Sequence, residues 1–454
     1  MREKSAGLLC EEMMFRCLSI SAVLLACQPE SVITAVGLSD EVATVVVVDV
    51  ELEGGEHWLE YGVTQQLGLS TPNWTETGAH SIPLLGLPQA TDVYIRLMRD
   101  NEGRVEEGPL SVVRTGTLPS WVPFVETTGE LPDGFVLLSA LGGPTTSILI
   151  VNQDGQVVWY RSLDEDVVVT DAQFAIAPPE RDFEVLSLVS DQDYTVDISA
   201  ILRFNSRGEM VASVDTPMAH HSFTQGPGED LSWIAADVRE IDGIGPVVGD
   251  QIVRFNGVEA LPVRSTWDLY DPPDAEELAL YEDYLEIGED WTHANHLVWD
   301  EDRGHYLLSL RNKHDVFALS KSGTVEMVVG DEHGWNFEPS TSVMHEQHAP
   351  VWAGEDTMLL LNQESRGTRV VELELDSESH TAEATWSYGL DDGAKMYVLG
   401  NVVRIPSGET LVNWGSRGVV QWLDGGKSLQ WTLESELGHF FASARWIADL
   451  YGRE

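Results

Sequence analysis

The amino-acid sequence predicts an all-β protein in which a small β-sandwich precedes a six-bladed β-propeller. Short strand-like runs without a helical period fill residues 31–117. From residue 134 onward a strand–turn–strand unit recurs six times, at intervals of about 50 residues. Repeats of this length that consist of short strands are typical of propeller blades.

The first region is predicted to be a sandwich because it contains several short strands bounded by turn residues. The clearest runs are Ala43–Glu51, Trp58–Gly62 and Val93–Met98. The features Glu60-Tyr61-Gly62 and Gly86-Leu87, followed by Thr91 and Tyr94, resemble fibronectin type III modules. The segment from Pro119 to Pro132 is predicted to be a connector.

The second region is predicted to be the propeller and to extend from residue 134 to residue 454. Its six repeated hairpins turn at Gly155, Gly208, Gly257, Gly323, Ser377 and Gly425. Further hairpins begin at His220, Thr292, Gln347 and Asn401. Two hairpins per repeat supply the four strands of a blade. One longer interval contains Asp271–Glu289, where a Pro-Pro start and the apolar spacing predict a helical insertion of about 15 residues.

Residues 1–27 are predicted to be a signal segment. The apolar run from Cys17 to Ala26 is too short to span a bilayer and fits a signal sequence. Leu24-Leu25-Ala26-Cys27 resembles a bacterial lipobox, which implies lipidation of Cys27. We therefore expect an exported protein, periplasmic or anchored by lipid at the outer membrane.

The composition excludes several classes of function. Lys and Arg number 26 against 75 Asp and Glu, which gives a net charge of −49 and makes nucleic acid an unfavourable partner. All three cysteines, Cys10, Cys17 and Cys27, lie in or before the signal segment. The mature chain is therefore expected to have no disulfide, no cysteine metal site and no thiol nucleophile.

Polar residues recur at one level of the predicted inner hairpins. With a turn centred on Asp302, His293 is predicted to face Arg311, and Asn295 to share the face of His293. His221 and His348 each lie five residues before the turn of their own hairpin. We expect these residues to converge, with no carboxylate nearby.

The same hairpin rule predicts that His348 faces Asn362 across a turn centred on Glu355. Three histidines also suit zinc, although a guanidinium beside a dication is repulsive. An arginine instead favours binding of sulfate, phosphate or carboxylate oxygens. A neutral imidazole is a competent nucleophile near neutral pH, so transfer of an oxyanion through a covalent histidine intermediate is a hypothesis.

Four segments together resemble the arylsulfotransferase family, whose PAPS-independent members use aryl sulfates in the bacterial periplasm. They are Asp290-Trp-Thr-His293-Ala-Asn295, Ser309-Leu-Arg311-Asn312, Gly330 to Trp335-Asn-Phe337, and Glu346-Gln347-His348. Ordered matches run from about residue 134 to residue 451. The resemblance implies a six-bladed propeller with a preceding β-sandwich.

The resemblance also implies roles for single residues. His348 would be the nucleophile that becomes sulfohistidine, and His293 and Arg311 would bind the sulfuryl oxygens. His221 would complete the pocket and handle the phenol proton, with His220 as the alternative for that position. Substrate binding is expected of four residues, which are Asn295, Asn362, His220 and, by stacking on the aryl ring, Trp335.

The predicted function is transfer of a sulfuryl group from an aryl sulfate to a phenol, without metal or cofactor. The chain lacks the cysteine pair of the periplasmic enzymes, has a short loop between Arg311 and His348, and has Ala349 where a polar residue is common. Two alternatives stay open. One is a lipid-anchored propeller that binds an anionic ligand without turnover, and the other is a metal-dependent hydrolase.

Overall fold

The computed structural model describes residues 31–453, apart from residues 144, 164–166, 178–181, 191–198, 227–229, 282–284, 286, 365–366, 391–392 and 437. The predicted signal segment with Cys27 lies outside the described residues. The described protein is all-β, with 58% strand and 4% helix. Among its described residues, no helix has the length and apolar character needed to cross a membrane.

The N-terminal unit forms two antiparallel sheets in the described residues. Its strands are β1 (Val32–Leu38), β2 (Val46–Leu52), β3 (Glu56–Gly62), β4 (Leu69–Ser70), β5 (Gly78–Leu84), β6 (Asp92–Asn101), β7 (Arg104–Glu107) and β8 (Ser111–Arg114). One sheet has the order β1-β2-β5, and the other has β4-β3-β6-β7 with β8 beside β6. In β2, Val46, Val48, Val50 and Leu52 alternate with more exposed residues and face the core, as expected for a strand with one buried face.

The described residues after β8 form twenty-seven further strands. They are β9 (Val125–Gly129), β10 (Phe135–Leu141), β11 (Ser147–Asn152), β12 (Val157–Ser162), β13 (Val168–Ala177), β14 (Asp182–Ser190), β15 (Ala200–Asn205), β16 (Met210–Asp215), β17 (Ala219–Gln225), β18 (Leu231–Ile241), β19 (Gly245–Phe255), β20 (Ala260–Ser265), β21 (Glu289–Asp290), β22 (Ala294–Asp300), β23 (His305–Leu310), β24 (Asp315–Ser320), β25 (Val325–Val329), β26 (Asn336–Glu338), β27 (His348–Trp352), β28 (Thr357–Glu364), β29 (Gly367–Asp376), β30 (Thr381–Gly389), β31 (Asn401–Arg404), β32 (Thr410–Asn413), β33 (Val419–Leu423), β34 (Leu429–Ser435) and β35 (Phe440–Ile447).

Short helices connect some of these strands. They are the α-helix α1 (Ala275–Leu278) and 3₁₀ turns at Thr266–Asp268, Asp331–His333, Ser340–Ser342 and Gly415–Arg417. In the described part of the insertion predicted as a helix of about 15 residues, α1 is the only helix and has a single turn. Asp274 caps it by accepting from the backbone N–H groups of Glu276 and Glu277. Tyr284, predicted to belong to the same helix, lies outside the described residues.

The strands after β8 form six sheets of four or five strands in the described residues. Sheet 1 has the order β12-β11-β10-β35, sheet 2 is β13 to β16, sheet 3 is β17 to β20, and sheet 4 is β22 to β25. Sheet 5 is β27 to β30 with β26 outside, and sheet 6 is β31 to β34 with β9 outside. The strands β13, β17, β22, β27, β31 and β35, here termed the ring strands, contact one another in cyclic order.

The first and last strands of this region join sheets at its two ends. The last strand, β35, pairs with β10 and so completes sheet 1 from the opposite end of the chain. The strand β9 pairs with β34 and extends sheet 6. β9 lies inside the segment predicted as a connector, so part of that segment is strand. The six predicted repeat hairpins form the outer strand pairs of the sheets, and the hairpins beginning near His220, Thr292, Gln347 and Asn401 include ring strands.

The N-terminal unit packs directly on sheet 1, and its buried residues belong to the same hydrophobic cluster as those of β10 to β12. Polar contacts reinforce this junction. The hydroxyl of Tyr451, near the C-terminus, donates to Pro83 O at 3.0 Å and accepts from Leu85 N at 3.1 Å. The Tyr61 hydroxyl lies 3.1 Å from it. Burial raises the pKa of Tyr61 to about 12, which keeps this phenol protonated.

We expect Tyr451→Phe to lower the free energy of unfolding by about 1–3 kcal/mol, because Pro83 and Leu85 would lose a buried partner. Denaturant unfolding measures the change. Tyr397→Phe is the matched control, since Tyr397 is 80% exposed and its loss should stay within about 0.5 kcal/mol. Equal stability losses in the two variants would contradict the assigned role of the Tyr451 hydroxyl.

Candidate active site

Irregular pairing marks one level of the ring strands. A register shift interrupts β13, β17, β22, β27 and the pairing of β35 with β10. Such bulges insert an extra residue and change the direction of the side chains around it. His221 and Ala349 lie within these shifts, and His293 directly precedes β22. Their φ angles of 56°, 51° and 48° are in the left-handed region that non-glycine residues rarely adopt. Backbone strain of this kind is concentrated at functional sites.

His221 and His293 meet edge to face, with ring centroids 4.9 Å apart. They come from neighbouring ring strands, since His221 lies in β17 and His293 directly precedes β22. Burial lowers the pKa of His221 well below its usual value, and the charges of His293, His220, His348 and Arg311 act in the same direction. The electrostatic influence of His348 and Arg311 indicates that the four predicted catalytic residues share one site.

His348 is the first residue of β27, the ring strand next to β22. Burial lowers the pKa of His348 to about 4, opposed by a hydrogen bond with the Gly400 backbone and assisted by the charges of His293 and Arg311. Its Nδ1 has no hydrogen-bond partner among the described residues. The imidazole is therefore neutral at neutral pH and retains the lone pair that a nucleophile requires.

Arg311 faces His293 as predicted. Its backbone N–H donates to His293 O at 2.9 Å, and Ala294 pairs with Leu310 in the adjoining ladder. The guanidinium donates from Nη1 to Asn312 Oδ1 at 2.9 Å and from Nη2 to Glu346 Oε1 at 2.8 Å. A guanidinium has five N–H donors, so these two bonds leave donors for an anion.

The prediction that no carboxylate lies near the site is wrong. Besides Glu346 on Arg311, Asp290 Oδ2 lies 2.5 Å from Nδ1 of His293, and Asp250 Oδ1 lies 3.0 Å from Nε2 of His220. Asp290 and Asp250 are both buried. A buried Asp within the apolar run Val247–Val253 was a usable signal, because a buried carboxylate requires partners.

The bulges give Asn295 and Asn362 neighbours other than those that the sequence predicts. Asn295 sits at the register shift of β22, so it does not simply share the face of His293, and its Nδ2 donates to Gln347 O at 2.7 Å. His348 pairs with Leu361 rather than Asn362, since β27 is also shifted. Asn362 instead accepts from His345 N at 2.8 Å and donates to Val343 O, which supports the loop before His348.

Trp335 does not line the site, and the prediction that it stacks on a substrate ring is wrong. Its Nε1 donates to Val328 O in β25, an outer strand of sheet 4, at 2.7 Å. Its ring stacks on His380 with centroids 5.4 Å apart. The indole belongs to the hydrophobic cluster between the outer parts of sheets 4 and 5.

His296 was not predicted, yet it lies 6.3 Å from His348 between ring centroids. Burial lowers the pKa of His296 well below its usual value, as do the charges of His348 and Arg445. Strict alternation directs this residue away from His293 and Asn295, whereas the bulge changes that direction. Arg445 of β35 forms an ion pair with Asp171 of β13 at 3.1 Å, which brings a further charged pair between ring strands.

A cavity of about 650 Å³ adjoins Arg311. Its wall includes Tyr270, Tyr281 and His345. A cavity of this volume is large enough for a small aromatic molecule. Among the described residues, no group of three or more His, Cys, Asp or Glu side chains is arranged to hold a metal ion.

A family model for arylsulfotransferases matches residues 125–435 of this chain. The chain belongs to the arylsulfotransferase family. Family membership supports an arylsulfotransferase-type transfer function, with small-molecule aryl sulfate and phenol substrates. The match includes His221, His293, Arg311 and His348 and begins at β9, where the ring of sheets also begins.

The solved structures similar to this arylsulfotransferase family member have low sequence identity and low TM-scores. A periplasmic gluconolactonase from Pseudomonas aeruginosa is 13% identical with a TM-score of 0.38, covering 87% of this chain and 99% of that one. A virginiamycin B lyase from Staphylococcus aureus is 10% identical with a TM-score of 0.36, covering 69% and 87%. A Bacteroides caccae protein of unknown function is 11% identical with a TM-score of 0.30, covering 87% and 100%. A comparison with curated proteins finds no match.

The low pKa of His348 predicts an acid-dependent loss of stability. Folded His348 stays neutral down to about pH 4, whereas an unfolded histidine titrates near ~6.5. The unfolded chain therefore binds more protons between these values, and stability falls as pH falls through this window.

In His348→Gln we expect unfolding near pH 5 to take up about one proton fewer than in the wild type. The slope of unfolding free energy against pH measures this number. His380→Gln is the control, because His380 is exposed. An unchanged slope in His348→Gln would contradict a buried, neutral imidazole.

Proposed function

We propose that this protein transfers a sulfuryl group from an aryl sulfate to a phenol through a covalent sulfohistidine at His348. The observation that carries the proposal is the neutral imidazole of His348 beside His293 and Arg311, two groups suited to sulfuryl oxygens. The six sheets would be the blades of a six-bladed propeller, and the N-terminal unit a fibronectin type III-like module. We assign residues 31–117 and 134–454 to these two domains.

In the first half-reaction a ring nitrogen of His348 attacks the sulfur of the donor. The N–S bond forms while the bond from sulfur to the aryl oxygen breaks, and the aryl oxygen leaves as phenolate or takes a proton from the site. Arg311 donates to the sulfuryl oxygens, and its hydrogen bond to Glu346 orients the guanidinium. Donors fixed before the reaction stabilise the developing charge without reorganisation.

His293 would contribute a second donor to the sulfuryl oxygens. Its Nδ1 faces the carboxylate of Asp290, so Nε2 is the ring atom directed to substrate. A carboxylate behind an imidazole fixes the orientation of the ring. Asp290 would therefore hold His293 with Nε2 facing the sulfuryl oxygens.

In the second half-reaction a phenol oxygen attacks the sulfur of sulfohistidine. The O–S bond forms, the N–S bond to His348 breaks, and His221 accepts the phenol proton. The cavity beside Arg311, with Tyr270 and Tyr281 in its wall, would take the aromatic ring of the substrate. Stacked or edge-on aromatic contacts add about 0.5–1.5 kcal/mol beyond apolar burial.

We also propose export of the protein, on sequence evidence from residues 1–27. Cys27 would be acylated after signal cleavage, which would anchor the enzyme to a membrane in the periplasm or at the outer membrane. The net charge of −49 argues against a nucleic acid partner. Aryl sulfates and phenols supplied from outside the cytoplasm would then have direct access to the site.

Treatment with a chromogenic aryl sulfate should give a burst of phenol equal to the enzyme concentration and add about 80 Da to His348. His348→Asn should give neither the burst nor the added mass, whereas the control His380→Asn, at an exposed residue, should retain both. Rapid mixing and peptide mass spectrometry are the measurements. Tight donor binding without burst or adduct in the wild type would favour the anion-binding module instead.

Arg311→Lys should lower kcat/KM for the aryl sulfate about 10²- to 10³-fold, because a lysine lacks the planar fork that binds two oxygens. Arg303→Lys is the control, since Arg303 lies at the turn end of the same hairpin and bonds to Asp300. Steady-state kinetics with both variants measure the effect. Equal values for Arg311→Lys and the wild type would exclude sulfuryl binding by Arg311.

A further inference from the structure

Asp250 of β19 is a buried carboxylate that joins sheets 3 and 4. Its Oδ1 lies 3.0 Å from Nε2 of His220 in sheet 3. Its Oδ2 accepts from Thr292 Oγ1 at 2.5 Å and from Ala294 N at 2.7 Å, at the start of β22. Burial raises the pKa of Asp250, but the bonds from His220 and Thr292 outweigh it and hold the pKa below its usual value. Asp250 is therefore an ionised acceptor.

His220 connects this carboxylate to His221. The Nδ1 atoms of the two imidazoles lie 2.8 Å apart, which is a hydrogen-bond distance. The His220 side chain is only 8% exposed. The chain of contacts runs from Asp250 through His220 to His221, whose ring meets His293 at the centre of the site.

The hydrogen bonds fix the tautomers of both histidines when they are neutral. An ionised Asp250 only accepts, so His220 carries its proton on Nε2 and its Nδ1 is an acceptor. His221 must then donate from Nδ1 to His220. The proton-free nitrogen of His221 is Nε2, which is the form required of a general base.

We propose that Asp250 and His220 form a proton relay that holds His221 in its basic tautomer and removes the phenol proton from the site. This inference rests on the proposed function and extends it to Asp250, which has no assigned part in the transfer, and to His220, which is expected from the sequence to bind substrate. His220 is a positioning residue, since it acts through His221 rather than on substrate.

The relay conserves protons and charge. As the phenol oxygen bonds to sulfur, its proton moves to Nε2 of His221, and the Nδ1 proton of His221 moves to Nδ1 of His220. His221 is neutral again, and His220 becomes an imidazolium beside the Asp250 carboxylate. In the donor half-reaction the aryl oxygen leaves as phenolate and takes no proton from the relay. After the acceptor step His220 releases its extra proton to water, which restores the neutral resting state.

The charges around His221 explain why a relay is useful. His293, His348 and Arg311 face His221 from sheets 4 and 5, and each disfavours a positive charge on it. Asp290 and Glu346 are engaged by His293 and Arg311, so they do not compensate His221 directly. Moving the charge to His220 brings it 3.0 Å from Asp250, where it is stabilised.

Two variants of His220 test the relay. In His220→Gln, the amide N–H groups can donate to Asp250 and the amide oxygen can accept from His221, so the tautomer is kept but no proton is taken up. His220→Phe removes both contacts. Each half-reaction is measured by rapid mixing, with a donor whose phenolate leaves readily and with acceptor phenols of graded acidity.

We expect the acceptor half-reaction with weakly acidic phenols to fall about 10²- to 10⁴-fold in both variants, as for loss of general base catalysis. The donor half-reaction should fall less than about 10-fold, because a stable phenolate needs no proton. The loss should shrink as the acceptor becomes more acidic. Equal losses in both half-reactions, or wild-type acceptor rates in His220→Gln, would overturn the relay.

The tautomers are measurable without turnover. Nitrogen-15 NMR of the wild type, assigned with single histidine variants, should find a protonated Nδ1 and an unprotonated Nε2 on His221. The opposite tautomer would overturn the relay even in an active enzyme. Absence of any burst with this tautomer present would instead count against the proposed function and leave the relay geometry standing.

Discussion

The bulges of the ring strands are the constraint on which the site depends. Regular strands alternate their side chains, and an extra residue changes the direction of the side chains beside it. His221 lies in the shift of β17, Ala349 directly follows His348 in the shift of β27, and both have left-handed backbone angles. The pairing of β35 with β10 and of β9 with β34 completes the outer sheets that carry these strands.

Three of the cationic or protonatable groups of the site have a carboxylate beside them. Glu346 contacts Arg311, Asp290 contacts His293, and Asp250 contacts His220. His348 has no such partner in the described chain, and burial keeps it neutral. The environment therefore keeps His348 neutral, while Arg311, His293 and His220 each have an acidic partner. Surface carboxylates that give the chain its net charge of −49 are screened beyond about 8–10 Å and do not cancel this local pattern.

The sequence was sufficient for features that depend on local chemistry. Turn residues and spacing located the outer hairpins, and the turn at Asp302 correctly brought His293 opposite Arg311. It was insufficient where a bulge shifts the register, as at Asn295 and at the pairing of His348, because bulges lack a turn signature. Asp250 and Trp335 depend on packing between different sheets, which a single hairpin does not reveal.

The proposed mechanism requires groups from neighbouring ring strands to converge on one tetrahedral anion. A crystal structure after brief exposure to an aryl sulfate donor is the decisive measurement. We expect a sulfuryl group bonded to a ring nitrogen of His348, with its oxygens about 2.7–3.2 Å from donors of His293 and Arg311. A sulfuryl group on another residue, or one on His348 that neither His293 nor Arg311 contacts, would contradict it.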